Sequence, residues 1–108
     1  MRVVGAELRD HLDERKLKAA LAELDAQIGA DRRVDVVFDC RPMTGYDLAA
    51  RHAFVDWHQR NKPRVRRVAI LTSNRVWWMV ISTMSLAAGT PMKGFAQEDE
   101  ANAWLAAP

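Results

Sequence analysis

The chain has 108 residues, 49% apolar and 28% charged, with 16 cationic side chains against 14 anionic ones and a net charge of +2. That length fits one domain over residues 1–108, able to bury a core without disulfide or metal staples. Near-balanced charge leaves no footprint for nucleic acid, and the single cysteine, Cys40, excludes an internal disulfide and suits a reducing cytoplasm.

Short apolar runs alternate with longer amphipathic ones, the pattern of a β/α domain. Arg2–Leu8 reads as a first strand interrupted by Gly5 and Glu7, and its apolar run is too short for a signal peptide. Asp13 can cap a helix running to about Ile28. Leu17, Leu21, Leu24 and Ile28 form its apolar stripe, and Gly29 suits its end. Val34–Cys40 (VDVVFDC) is rich in β-branched residues and reads as the second strand. Pro42 and Gly45 break the chain before a second helix from about Tyr46 to Arg60, with Ala50, Ala53, Phe54 and Trp57 inward.

After a turn at Asn61–Arg64, Val65–Thr72 (VRRVAILT) has the two-sided apolar character of a central parallel strand. Ser73 or Asn74 can cap a third helix over Val76–Gly89 (VWWMVISTMSLAAG), which Gly89 and Pro91 end. That uncharged segment is too short to span a bilayer, which takes about 20 apolar residues. Met92–Ala96 is a short fourth strand. Gln97, Glu98, Asp99 and Glu100 open a last helix pinned by Ala101, Trp104 and Leu105. The expected fold is α/β: four β/α units forming a mostly parallel four-stranded sheet with packed helices.

Several strings carry a family resemblance from about Val34 to Leu105: VVFDC with a loop and helix after it, RRVAILTSN entering a Trp-bearing helix, and the closing EDEANAWL. The domain resembles the SpoIIAA-like fold, shared by the STAS domains of anti-sigma-factor antagonists and by a bacterial branch of SpoIIAA-like proteins. The resemblance implies a non-enzymatic regulatory or protein-interaction module. Phosphorylated antagonists carry a strand-ending Asp, a second Asp eight residues on, and then the target serine. Asp39 and Asp47 keep that spacing, but Leu48 stands at the serine position and has no hydroxyl to modify. Thr44 is the nearest hydroxyl.

Ligands of β/α sheets usually bind beyond the carboxyl ends of strands. Asp39, Cys40, Arg41, Thr44, Tyr46 and Asp47 gather there, with Ser73 and Asn74 after the next strand, as a candidate rim. The same residue types also satisfy turn amides and cap helices. Cys40 reads as a buried structural thiol more readily than as a nucleophile, since no base and orienter accompany it. His52 and His58 lie six apart on different helix faces, which is not metal-ligand spacing. The basic cluster Arg60, Lys62, Arg64, Arg66 and Arg67 surrounds a turn without an interleaved aromatic, so it offers no platform for base stacking.

In the third helix, Trp77, Val80, Ile81, Met84 and Ala88 form the expected core face. Trp78, Met79 and Leu86 remain as a candidate interaction or ligand surface. The expectation is a cytoplasmic homodimer, with another regulatory protein as a further partner and with no catalytic residue, cofactor, metal, nucleic acid or membrane insertion. The alternative is a carrier or sensor of a small apolar or lipid-like ligand, because the wider fold family includes lipid-exchange domains.

Overall fold

Four parallel strands form the sheet of the computed structural model, which describes residues 1–30 and 33–108. They are β1 (Val3–Glu7), β3 (Val34–Asp39), β5 (Val65–Leu71) and β6 (Met92–Phe95), in the spatial order β1-β3-β5-β6. The helices are α1 (Glu14–Ile28), α2 (Leu48–Arg60), α3 (Arg75–Ala88) and α4 (Glu98–Ala106). The four expected β/α units are all present.

The strand order advances one place at a time. Right-handed crossovers of that kind lay successive helices on the same face. Accordingly, Val36 and Phe38 of β3 and Val68 and Ile70 of β5 pack with α1, α2 and α3. Ala69, Leu71 and Phe95 point the other way and are covered by Ala101 and Leu105 of α4. No reversal of strand order occurs, so the sheet has no switch-point crevice of the kind that holds ligands in doubly wound folds.

The helix ends follow local chemistry. Asp13 Oδ1 accepts from Lys16 N at 2.7 Å, and Asn74 Oδ1 accepts from Val76 N at 3.0 Å, each satisfying an orphan helix donor. Gly89 ends α3 with φ +70°, the left-handed conformation that glycine adopts without a Cβ penalty. Edge strand β1 is shielded by α1: Gln27 Oε1 accepts from Gly5 N at 3.2 Å and Gln27 Nε2 donates to Gly5 O at 2.9 Å. That amide stands in for a neighbouring strand and blocks edge pairing.

Three members of the basic cluster, Arg64, Arg66 and Arg67, act as clamps. Asp35 is buried, and Arg66 donates to it through Nε at 3.0 Å and Nη2 at 2.8 Å, and also to Leu105 O. Arg67 donates to Trp104 O at 2.7 Å and Ala107 O at 2.8 Å, while Arg64 donates to Gly29 O at 2.7 Å. These guanidiniums satisfy carbonyls at helix C-termini, where cations are favoured.

One element departs from the expected pattern. Asp10–Leu12 (β2) and Met43–Tyr46 (β4) pair in parallel as a separate two-stranded ribbon. Tyr46 therefore belongs to a strand, and α2 starts at Leu48, two residues later than its expected start. Asp10 enters the ribbon with φ +59°, a left-handed conformation that Asp tolerates better than most residues.

Candidate functional site

The ribbon rises from the carboxyl ends of β1 and β3 and is tied to them by Leu8 N→Asp39 O at 2.9 Å and Asp10 N→Pro42 O at 3.0 Å. Beneath it lies a partly open pocket of about 70 Å³. Leu8 of the β1 end, Leu12 and Met43 of the ribbon, Leu17 of α1, and Ala50 and Phe54 of α2 form one side. Trp77, Val80, Ile81 and Met84 of α3 form the other, with Cys40, Ile70 and Thr72 at the strand ends. Its wall is apolar because three helices turn their sheet-facing stripes inward where the strands run out.

The polar rim is occupied by its own contacts. Arg41 donates to Asp39 through its backbone N at 3.1 Å, Nε at 2.9 Å and Nη2 at 2.8 Å, and this bonding holds the Asp39 carboxyl below its ordinary value. Asp47 stands at the N-cap of α2 without capping it. Its Oδ1 instead lies 2.7 Å from His11 Nε2, across the ribbon. His11 is the partner that sequence spacing misses, since it sits 36 residues away. No sequence signal joins the two: they meet because the ribbon register pairs Leu12 with Tyr46 and so brings their neighbours together.

Asn74 is committed to the α3 cap, and Thr72 Oγ1 accepts from Asn74 N at 3.2 Å. Thr44 and Ser73 are exposed. Tyr46 is half-buried, edge-on to Trp77 with ring centroids 5.8 Å apart. Cys40 is buried on the pocket wall, and burial, with the Asp39 charge second, pushes its thiol up to about 12. A thiol so rarely ionised is a poor nucleophile at neutral pH.

The tryptophan pair divides differently from its helical-wheel expectation. Trp78 was left over by the sheet-facing stripe, yet its indole lies over Gly94 of β6 and packs against the core. Its Nε1 donates to Thr72 O at 3.1 Å, and the Arg75 guanidinium sits 5.4 Å from its ring centre. The missing side chain at Gly94 makes that seat. Trp77, expected in the core, is half-buried and lines the pocket. Met79 and Leu86 remain outward, 74% and 86% exposed.

Arg51 is the cation on the pocket lining, and its guanidinium has no hydrogen-bond or ion-pair partner among the described residues. Leu48, at the start of α2 after Asp47, is exposed. Among the described residues no cluster of three His, Cys, Asp or Glu side chains could hold a metal ion, and no helix is long and apolar enough to cross a membrane.

A family model described as SpoIIAA-like matches residues 3–106. A solved structure of similar fold is an uncharacterised protein of the DUF3478 family from Shewanella loihica PV-4, itself described as having a SpoIIAA-like fold. The two align with a TM-score of 0.77 at 14% identity, over 94% of this chain and 82% of the other. No curated protein matches the sequence.

Proposed function

The chain belongs to the SpoIIAA-like family, and from that premise we propose that it is a non-enzymatic binding module whose recognition element is the apolar pocket beneath the ribbon. The observation that carries this reading is a partly open, apolar pocket with one unpartnered guanidinium, Arg51, on its lining. Apolar cavities stay dry and take apolar guests, and one of about 150 Å³ holds benzene. At about 70 Å³ the pocket suits the end of an alkyl chain rather than a whole ring. Met43 and Met84 on its wall have the flexibility to widen it. Arg51 favours a ligand whose polar end is anionic. The ligand class is therefore a small amphiphile with an anionic head. Neither Leu48 nor Cys40 supplies a group for phosphotransfer or nucleophilic chemistry, which supports a binding rather than a catalytic role.

Calorimetric titration with hexanoate and with 1-hexanol tests the reading. Both saturate, hexanoate binds more tightly, and Arg51→Gln removes the difference. Ala50→Leu, which fills the pocket, abolishes both. Failure of either probe to saturate the native protein would reject the pocket as a binding site.

A further inference from the structure

The pocket beneath the ribbon does not end at its mouth. A groove of about 420 Å³ continues from it between α2 and α3. Arg51 of α2 and Met84 of α3 line both spaces and form the sill between them. Val55 stands one turn after Arg51, and Ala87 follows Met84 on α3, so each helix turns its next position into the groove. Gln59 Nε2 donates to Ala87 O at 2.8 Å and ties the two helices together at the far end. The walls are therefore set before a guest arrives.

This path selects its occupant. The pocket is small and apolar, and takes one short apolar group. The cation stands at the sill, so the anion it meets sits where the guest leaves the pocket. The groove beyond is mixed: Val55, Met84 and Ala87 are apolar, whereas His52 and Asp56 are polar. A fatty acid held by Arg51 can fill the pocket or the groove, but not both. A polypeptide C-terminus fills both, because its carboxylate and its last side chain branch from one Cα while the chain continues in a third direction.

Charge along the groove adds a further mark. Asp56 lies five residues after Arg51, about 7.5 Å along the helix. Its carboxylate has no ion-pair partner among the described residues. Two residues of extended chain span about 6.6 Å. A cationic side chain third from the C-terminus therefore comes level with Asp56.

We propose that the protein binds the C-terminus of a polypeptide. The last side chain, of leucine size, enters the pocket and the α-carboxylate meets Arg51. The preceding residues lie along the α2–α3 groove, with a basic one opposite Asp56. The proposal rests on the pocket reading above and narrows its ligand from any small anionic amphiphile to this one.

Calorimetric titration with acetyl-Lys-Gly-Leu tests it beside hexanoate, which reaches only the pocket and the sill. The peptide saturates the native protein below about 1 mM. Its C-terminal amide binds at least about tenfold more weakly, because it gives up the charge-assisted contact, and Arg51→Gln removes that difference. Alanine in place of the peptide's leucine weakens binding by more than about tenfold, through the lost apolar burial. Glutamate in place of its lysine weakens binding about threefold, the scale of an exposed pair, and Asp56→Lys reverses that order. Ala87 is exposed, so Ala87→Trp covers the groove without disturbing the core. It weakens the peptide and leaves hexanoate unchanged.

Hexanoate binding without peptide binding would overturn the proposal and leave the pocket reading standing. So would a peptide amide bound as tightly as the acid, or a peptide indifferent to Ala87→Trp. Dodecanoate that binds more tightly than hexanoate and loses that gain in Ala87→Trp, with no peptide bound, would overturn it and assign the groove to an alkyl chain. Saturation by neither hexanoate nor the peptide would reject both readings.

Discussion

His58 should make the fold acid-sensitive. The ring is fully buried on α2, with its centroid 4.4 Å from Phe54, 4.8 Å from Trp57 and 5.8 Å from Phe38 of β3. Nδ1 lies 2.7 Å from Phe54 O and so carries the proton, while Nε2 is a buried acceptor without a partner among the described residues. The carboxylate beside this aromatic group, Asp25, is engaged by Trp57 Nε1 at 3.0 Å. Burial pushes the imidazole down to about 4 from its ordinary 6.5, and the Phe54 bond offsets only part of that. The folded value lies below the unfolded one, so the unfolded chain takes the proton first as pH falls. The stability tied to neutral His58 is therefore whole above pH 6.5 and drains away between 6.5 and about 4. At about 1.4 kcal/mol for each pH unit of that interval, roughly 3 kcal/mol is at stake. About 2 kcal/mol of it is gone by about pH 5. Urea unfolding at about pH 7.5 and about pH 5 measures this, with His58→Phe as the reference that keeps an aromatic ring but removes the titrating nitrogen. The native chain should lose about 2 kcal/mol more than the variant on acidification, the carboxylates cancelling between the two. Equal losses in both proteins would refute the reasoning.

Two further substitutions and one labelling experiment probe the packing. A Cβ at Gly94 would collide with Trp78 Cδ1 and lie 2.8 Å from Nε1. Gly94→Ala should therefore expel the indole from its seat, cost about 1–3 kcal/mol in urea unfolding and red-shift the tryptophan emission; a neutral substitution would mean that the seat is not tight. Arg66→Ala leaves the Asp35 carboxylate buried without its bidentate partner and should cost about 3 kcal/mol or more. A loss under 1 kcal/mol, roughly that of a surface pair, would contradict the clamp. Cys40, with its thiol pushed up to about 12, should resist a mild thiol reagent at neutral pH and react only on urea unfolding; prompt labelling of the folded chain would show an accessible thiolate.

The fold was legible where local chemistry decides it. The Leu17–Leu21–Leu24–Ile28 stripe, the caps at Asp13 and Asn74 and the glycine stops at Gly29 and Gly89 each rest on a few neighbouring residues. The β-branched run of β3 and the two-sided apolar run of β5 are equally direct. The ribbon was not legible. Its strands are three and four residues long, include Gly45, and become strands only by pairing with each other across some thirty residues. His11 therefore could not be joined to Asp47 by spacing.

The tryptophan pair shows the other limit. Helical periodicity gives the angle between Trp77 and Trp78 but not where α3 lies over the sheet. The bare backbone of Gly94 fixes that placement, and only the fold brings Gly94 under the helix. The candidate rim residues lie beyond the strand ends, but Asp39 and Arg41 are engaged with each other, Asp47 with His11, and Asn74 with the α3 cap. The pocket wall is built from ordinary core residues. No local pattern distinguishes them from a filled core, because an unfilled space is a property of the packed whole.

The most direct test of pocket binding is the methyl carbon–proton spectrum of the methionines during titration with hexanoate. Met43 and Met84 line the pocket, whereas Met79 lies on the exposed face of α3 and serves as an internal control. Saturating shifts are expected at Met43 and Met84, none at Met79, and the response is lost in Ala50→Leu. Unmoved Met43 and Met84 signals, or a Met79 shift as large as theirs, would contradict it.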